Sequence, residues 1–236
     1  MEDMNNTVFI PARKNSKGIP GKAWKELNGK PLISYAIEAA INCESINSIC
    51  VNTDSKEVKG IAKQYPGVWL YDRKSEKDFD DETDLDSVIF DFANIYDFDY
   101  LLLIQPTNPF TTSEDLTRAL NLVDKSSSLL SVVKQKRFLW DEVKEIPINY
   151  NPIFRANRQE INNFHYVENG AFYITSKESL LRNHCRLDLN DILYYSMSQR
   201  SYFELDEPED WAIVESIMKG QVIQGLNKEI KKESEK

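Results

Sequence analysis

Thr7-Val8-Phe9-Ile10-Pro11-Ala12-Arg13-Lys14-Asn15-Ser16-Lys17-Gly18-Ile19-Pro20-Gly21-Lys22 is the stretch that decides how this chain reads. Its first four residues are β-branched or apolar and predict a short buried strand. From Pro11 to Lys22 the chain carries four cations, two glycines and two prolines, and no acid. Glycine and proline at these positions fix the backbone of a loop. An apolar stretch of helical period, Leu32–Ile41, comes next. A stiff basic loop leaving the first strand of an α/β unit suits a polyphosphate, whose charge is offset by cationic side chains and backbone N–H groups. Arg13, Lys17 and Lys22 are the cations placed to reach one. Gly18-Ile-Pro-Gly-Lys22 lacks the GxxxxGK[ST] spacing of a Walker loop.

Outward from that loop, strand and helix patterns alternate. Ile46–Asn52 predicts a strand ending at Thr53-Asp54, after which Ser55 caps a helix through Gln64. Val68–Tyr71 predicts a strand, and Asp84–Tyr96 an amphipathic helix with Val88, Phe92 and Ile95 on one face. Tyr100–Ile104 is the most apolar run and predicts a central parallel strand. A helix over Ser113–Asp124 and a strand over Leu129–Val133 continue the series. The expectation is an α/β fold with a doubly wound, mostly parallel sheet and crossover helices. Residues 137–168 break the pattern, being aromatic, polar and irregular. A segment of that length is an active-site excursion or a subunit-contact arm. Strand patterns return at Gly170–Ile174, Tyr194–Met197 and Tyr202–Leu205, and a helix over Glu207–Met218 closes the domain. One domain is expected over 1–226, with 137–168 inserted as the arm and 227–236 as a charged tail.

The chain has 236 residues, 41% of them hydrophobic, enough for a core of this size. Its 38 acids outnumber its 29 lysines and arginines, for a net charge of -9. That balance argues against nucleic acid as a partner and against an anionic membrane surface. No stretch approaches a membrane span, and the polar start does not predict a signal peptide, so a cytoplasmic protein is expected. Cys43, Cys50 and Cys185 are isolated and odd in number, and are read as reduced thiols. His165 and His184 stand in no metal-ligand spacing.

Two further polar clusters follow apolar runs. Gln105-Pro-Thr-Asn-Pro109 leaves the central strand at its carboxyl end, where open α/β sheets place ligands. In Phe203-Glu-Leu-Asp206, Glu204 and Asp206 alternate with apolar residues, so on a strand both carboxylates point one way. Two carboxylates beside a polyphosphate suit Mg²⁺, a hard cation that takes oxygen ligands. Capping of the following helix is the other reading of Asp206. For Thr53-Asp54, a helix cap and a substrate contact both stand. Arg73, Thr83, Asp84 and Asp86 form a polar loop in which most carboxylates read as solvated surface.

Taken together, Ile10-Pro-Ala-Arg-x-Asn-Ser-Lys-Gly-Ile-Pro-x-Lys22 resembles the signature of the acylneuraminate cytidylyltransferases, the CMP-sialic acid synthetases, and more distantly the CMP-KDO synthetases. The likeness continues through Asn28–Ile37, Val51-Asn-Thr-Asp54, Leu103–Pro109, Arg158-Gln159, Glu168–Ile174 and Glu204-Leu-Asp206. It implies a Rossmann-like nucleotidyltransferase that joins CTP to a free nonulosonic acid with Mg²⁺, releasing pyrophosphate. It further implies a homodimer made through the arm. By the same resemblance, Arg13 and Lys22 hold the triphosphate, with Asn15, Ser16 and Lys17 completing the loop. Arg73 lies near the cytosine, Gln105 near the sugar, and Arg158 and Asn169 face the site from the arm. Glu204 and Asp206 are the metal carboxylates. The chain departs from the family in having Ala23 after the loop lysine, where Asn is common, and Glu204 in place of Asp. A KDO-type acceptor and a non-catalytic nucleotide-binding protein on the same fold are the alternatives.

Overall fold

The structure is a computed structural model and describes residues 4–72, 84–123, 127–155, 157 and 165–220. Arg73, Thr83, Arg158, Gln159 and the tail 227–236 lie outside the described residues.

In chain order the elements are β1 (Asn6–Pro11), a ribbon of β2 (Glu26–Leu27) and β3 (Lys30–Pro31), and α1 (Leu32–Ile41). Next come β4 (Ser48–Asn52), α2 (Lys56–Ala62), β5 (Val68–Tyr71), α3 (Leu85–Ile95), β6 (Tyr100–Ile104) and α4 (Ser113–Val123). Last come β7 (Ser128–Gln135), a ribbon of β8 (Trp140–Asp141) and β9 (Ile146–Pro147), β10 (His165–Ser176), α5 (Lys177–Asn183), β11 (Ile192–Ser196) and α6 (Pro208–Met218). The main sheet has seven strands in the order β11-β7-β10-β6-β1-β4-β5. From β1 the chain winds outward through β4 and β5, then returns to lay β6 against β1's other edge. That reversal makes the carboxyl ends of β1 and β6 the place where an open sheet leaves a crevice. β10 alone runs against its neighbours, antiparallel to both β6 and β7. Its first residues therefore lie at the same sheet edge as the carboxyl ends of β6 and β7.

Period-2 alternation sorts the strands onto two covered faces. Val8, Ile10, Leu102 and Ile104 pack with α1, α2 and α4, while Phe9, Leu101 and Leu103 pack with α3 and α5. A third, smaller cluster joins Ile19 of the basic loop and Leu32 to Leu205, Trp211 and Val214.

Several expectations need correction. In α3 the buried stripe is Val88, Ile89, Phe92 and Ala93, whereas Ile95, the last residue of the helix, is exposed. Tyr202–Leu205 forms no sheet strand. Gln199–Tyr202 is a 3₁₀ turn, and the extended residues after it bond to the loop after β6 through Leu205 N–H and Thr107 O, 2.8 Å. The span 137–168 is less irregular than expected, since β8 and β9 pair within it and 165–168 belong to β10. The helix α5 follows β10 directly, capped by Ser176, whose hydroxyl accepts from Ser179 N–H.

Phe92 is fully buried against Phe9, Tyr71 and Tyr96, with ring centroids 5.0, 5.3 and 4.6 Å away. Phe92→Ala is expected to destabilise the domain by about 3–5 kcal/mol, read from the midpoint of urea unfolding.

Candidate active site

The basic loop leaves β1 beside β4. Ala12 N–H extends the ladder by one bond to Asn52 O, 2.9 Å. Arg13, Lys14, Asn15 and Lys17 are then exposed and Ser16 is half-buried. Ile19 turns inward as an apolar anchor, 3% exposed in the third cluster. Gly21, at φ 68°, makes the turn into the Lys22–Trp24 3₁₀ segment, a conformation open to glycine at little cost.

Lys22 is aimed across the site. Its Nζ donates to Leu205 O at 2.5 Å and pairs with an Asp206 carboxylate oxygen at 3.2 Å. The side chain of Lys22 is 13% exposed and that of Asp206 59%. Residues 183 positions apart are thus joined. Two glycines permit this approach. A Cβ on Gly18 would lie 1.9 Å from the carbonyl oxygen of Asp206. At Gly170, where φ is +55°, a Cβ would lie 2.1 Å from Glu204 Oε2 and 3.4 Å from Gln105 Oε1. Gly170 sits inside the register shift of β10, between Glu168 and Tyr173, which brings its backbone close to the crevice.

The loop after β6 closes the third side. Gln105 N–H bonds Ala171 O at 3.0 Å, and the side-chain amide of Asn108 donates to Asn169 O (2.6 Å) and Ser201 O (2.8 Å). Asn169 is buried. Its Nδ2 donates to Ser201 Oγ at 3.0 Å and contacts Met197 Sδ at 3.1 Å. Among the described residues its Oδ1, also buried, has no donor. Asn169 is therefore packed into the framework beneath the crevice, tying β10 to the segment that leads to Glu204.

Glu204 and Asp206 share a segment but not a strand. Glu204 is half-buried and Leu205 fully buried, while Phe203 and Asp206 are exposed, so Leu205 is the inward anchor of the segment. Asp206 does not cap α6. Glu207 does, in a reciprocal box with Asp210, and Asp210 Oδ2 also accepts from Asp206 N–H at 3.0 Å. Burial, followed by the charges of Asp206, Asp210 and Glu168, pushes Glu204 above the ordinary carboxylate range, against the pull of Lys22. A hard cation would relieve that crowding, and glycine at 170 leaves Glu204 the room to turn. The donor set therefore fits Mg²⁺. No cluster of three or more metal-binding side chains occurs among the described residues. Two carboxylates with phosphate and water completing the shell is the usual pattern for Mg²⁺.

The crevice thus brings together Lys22, Gln105, Glu204 and Asp206, beneath a loop carrying Arg13 and Asn15–Lys17. What residue patterns did not disclose is the Leu205 carbonyl, the bracing by Asn108 and Asp210, and the close approaches at Gly18 and Gly170. The glycines themselves were the available signal. Asp86, which had read as solvated surface, is bound to Arg186, whose Nε lies 3.0 Å from its carboxylate.

An open α/β sheet with a crevice at its switch point is a usual place for a bound ligand, and solved nucleotidyltransferases share this fold. A solved CMP:2-keto-3-deoxy-manno-octonic acid synthetase complexed with CTP superposes with a TM-score of 0.65 at 16% identity, over 92% of this chain and 99% of that one. A 4-diphosphocytidyl-2C-methyl-D-erythritol synthase from Anaerococcus prevotii gives 0.67 at 12% identity, over 92% and 97%. The cytidylyltransferase family matches residues 7–232, and the chain belongs to it. N-acylneuraminate cytidylyltransferase A of Danio rerio is 33% identical over 217 residues, 89% of this chain and 50% of the relative. CMP-N,N'-diacetyllegionaminic acid synthase of Legionella pneumophila is 30% identical over 241 residues, 91% of this chain and 97% of the relative. The chain spans about half the length of the Danio rerio relative and of the N-acylneuraminate cytidylyltransferase of Oncorhynchus mykiss, 50% of each.

Because the pKa of Glu204 is raised on folding, its ionisation opposes folding. Stability is lost as pH rises through the folded pKa, and the penalty is absent below the ordinary Glu value of 4.5. Without added metal, Glu204→Gln is expected to melt higher than the wild type at neutral pH. The gap should close in acid below that value, as read by thermal scans across pH.

Proposed function

We propose that this chain transfers a cytidylyl group from CTP to a free nonulosonic acid of the sialic type, releasing pyrophosphate. The observation that carries the reading is the Lys22–Leu205–Asp206 junction, which sets the basic loop against the carboxylate pair. The relatives add support, since their names include N-acylneuraminate cytidylyltransferase and a CMP-diacetyllegionaminic acid synthase.

In the reaction a hydroxyl oxygen of the acid forms a bond to the α-phosphorus. The bond from that phosphorus to the bridging oxygen breaks, pyrophosphate leaves, and the hydroxyl gives up its proton. Positioning and charge neutralisation dominate such chemistry. Arg13, Lys17 and Lys22 would offset the triphosphate charge, and Asn15 and Ser16 would line its path. Gln105, beside Gly170 and Glu204, would meet the acceptor. Glu204 and Asp206 would hold Mg²⁺, which when bound supplies charge neutralisation at the phosphates. Lys22, now on Asp206, would exchange that partner for a phosphate oxygen. The preformed contact keeps it extended into the crevice.

Incubation with CTP, Mg²⁺ and a panel of nonulosonic acids, KDO included, is expected to release pyrophosphate with a sialic-type acid and to stop on chelation. Arg13→Ala and Lys22→Ala should each lower kcat/KM by an amount equivalent to about 2–4 kcal/mol. No pyrophosphate from any acid would favour a nucleotide-binding role without catalysis. Release with KDO alone would change the acceptor.

The reading includes a homodimer made through the arm. Val143, Ile153 and Phe154 are 92, 80 and 79% exposed, and Ile146 and Ile148 also face out. The segment is nonetheless ordered from within: Trp140 Nε1 donates to Tyr150 Oη at 2.6 Å, and the Phe138 and Tyr150 rings lie 4.4 Å apart. An ordered face this apolar suits a partner surface, and a second copy in two-fold symmetry is the commonest closed solution. Light scattering is expected to give the mass of two copies for the wild type, and of one for an Ile153→Asp, Phe154→Asp variant. A monomeric wild type would refute the dimer.

A further inference from the structure

Besides the buried Ile19, three contacts of the cationic loop bear on its course, and two of them belong to the carboxylate segment: the Gly18 approach to Asp206, and Lys22 on Leu205 and Asp206. The third is on another element. Asp54 Oδ1 accepts from the backbone N–H of Lys14 at 2.6 Å, across 40 residues of sequence. This is the second loop amide past the ladder bond of Ala12 to Asn52, with Arg13 between them.

Asp54 stands on a rigid base. Thr53 and Ser55, on either side, are 1% and 0% exposed. Thr53 Oγ1 accepts from Ser55 N–H at 3.0 Å, and Ser55 Oγ caps α2 by accepting from Val58 N–H at 3.3 Å. Asn52, the last residue of β4, is itself buried and donates its side-chain amide to Tyr71 O at 3.2 Å. The helix is capped by Ser55, so capping leaves the Asp54 carboxylate unexplained. A carboxylate here also works against the loop's purpose, because it adds negative charge beside a site for a polyanion. Its bond to Lys14 N–H supplies a reason. A short bond to a fixed acceptor at the loop's root sets the chain direction into Asn15-Ser16-Lys17, between this bond and the Gly18 contact.

We propose that Asp54 is a positioning residue for the triphosphate loop, acting as a fixed hydrogen-bond acceptor and not through its charge. The proposal rests on the reading of that loop as the cradle for CTP phosphates. Acceptor and charge roles separate cleanly by substitution. Asp54→Asn keeps a carbonyl oxygen at the same reach and removes the charge. Asp54→Glu keeps the charge and displaces the acceptor by one carbon.

The experiment is calorimetric titration of wild type, D54N and D54E with CTP in Mg²⁺, alongside steady-state kinetics and melting curves. The expectation is that D54N holds Kd and KM for CTP within about two-fold of wild type, and that D54E weakens both about ten-fold, the scale of one lost bond of this kind. kcat at saturating CTP should change little in either, and melting temperatures should stay close to wild type. The reverse order, with D54N weakened and D54E retained, would overturn the proposal in favour of a charge role. Equal, wild-type binding by both variants would overturn any role in holding the loop. If the wild type binds CTP but releases no pyrophosphate with any acid, the catalytic reading fails while the binding comparison still decides the role of Asp54. If the wild type does not bind CTP, the cradle reading and this proposal fall together.

Discussion

Parallel pairing of β1 with β6, together with the winding of β4 and β5 to the opposite side of β1, is the constraint on which the rest depends. Two strands that end side by side, with their connections leaving in different directions, expose the amides and carbonyls of both following loops to one crevice. Those groups need partners. The protein supplies them from three distant places: Asn52 at the end of β4 with Asp54 just beyond it, Ala171 in β10, and Leu205 ahead of α6. What holds the loops in place is therefore the same set of bonds that defines the candidate site.

The third apolar cluster gives that arrangement its footing. Ile19 lies in the middle of the cationic loop, yet it is buried with Leu205 and Trp211. Lys25 covers Trp211 from outside, its Nζ 4.4 Å from the ring centroid. Removal of these side chains from water stabilises the loop and the carboxylate segment as one unit. The exposed cations on the loop, which repel one another, are carried on a backbone whose order comes from elsewhere.

Local patterns were enough for most elements. Leu32–Ile41 and Val68–Tyr71 have the boundaries their periodicity predicts, because a buried stripe and a buried run are written in neighbouring residues. The failures are of another kind. The reversed direction of β10 depends on pairing with β6 and β7, which no window of sequence contains. Phe203–Asp206 alternates as a strand does, yet no sheet strand lies alongside it. Its outcome was set by Thr107 and Lys22, far away in sequence. The site was legible as residue types, lysine and arginine after one strand and carboxylates before one helix. Its geometry was not, because backbone groups such as Leu205 O have no signature, and a carboxylate beside a helix cap such as Asp54 looks like part of the cap.

The separation of Lys22 from Leu205 also bears on how the protein comes into being. Every described strand of the main sheet lies before residue 197, so a chain emerging from the ribosome can expose the sheet strands before the segment around Leu205 is free to join them. At that stage Lys22 lacks its carbonyl, Gly18 has no backbone to rest on, and Ile19 faces no Leu205 or Trp211. Loop closure over such a span adds little entropy beyond that of a shorter one, but it comes last. A nascent or clipped chain ending in β11 would have the sheet with its cationic loop unbraced and its crevice unfinished.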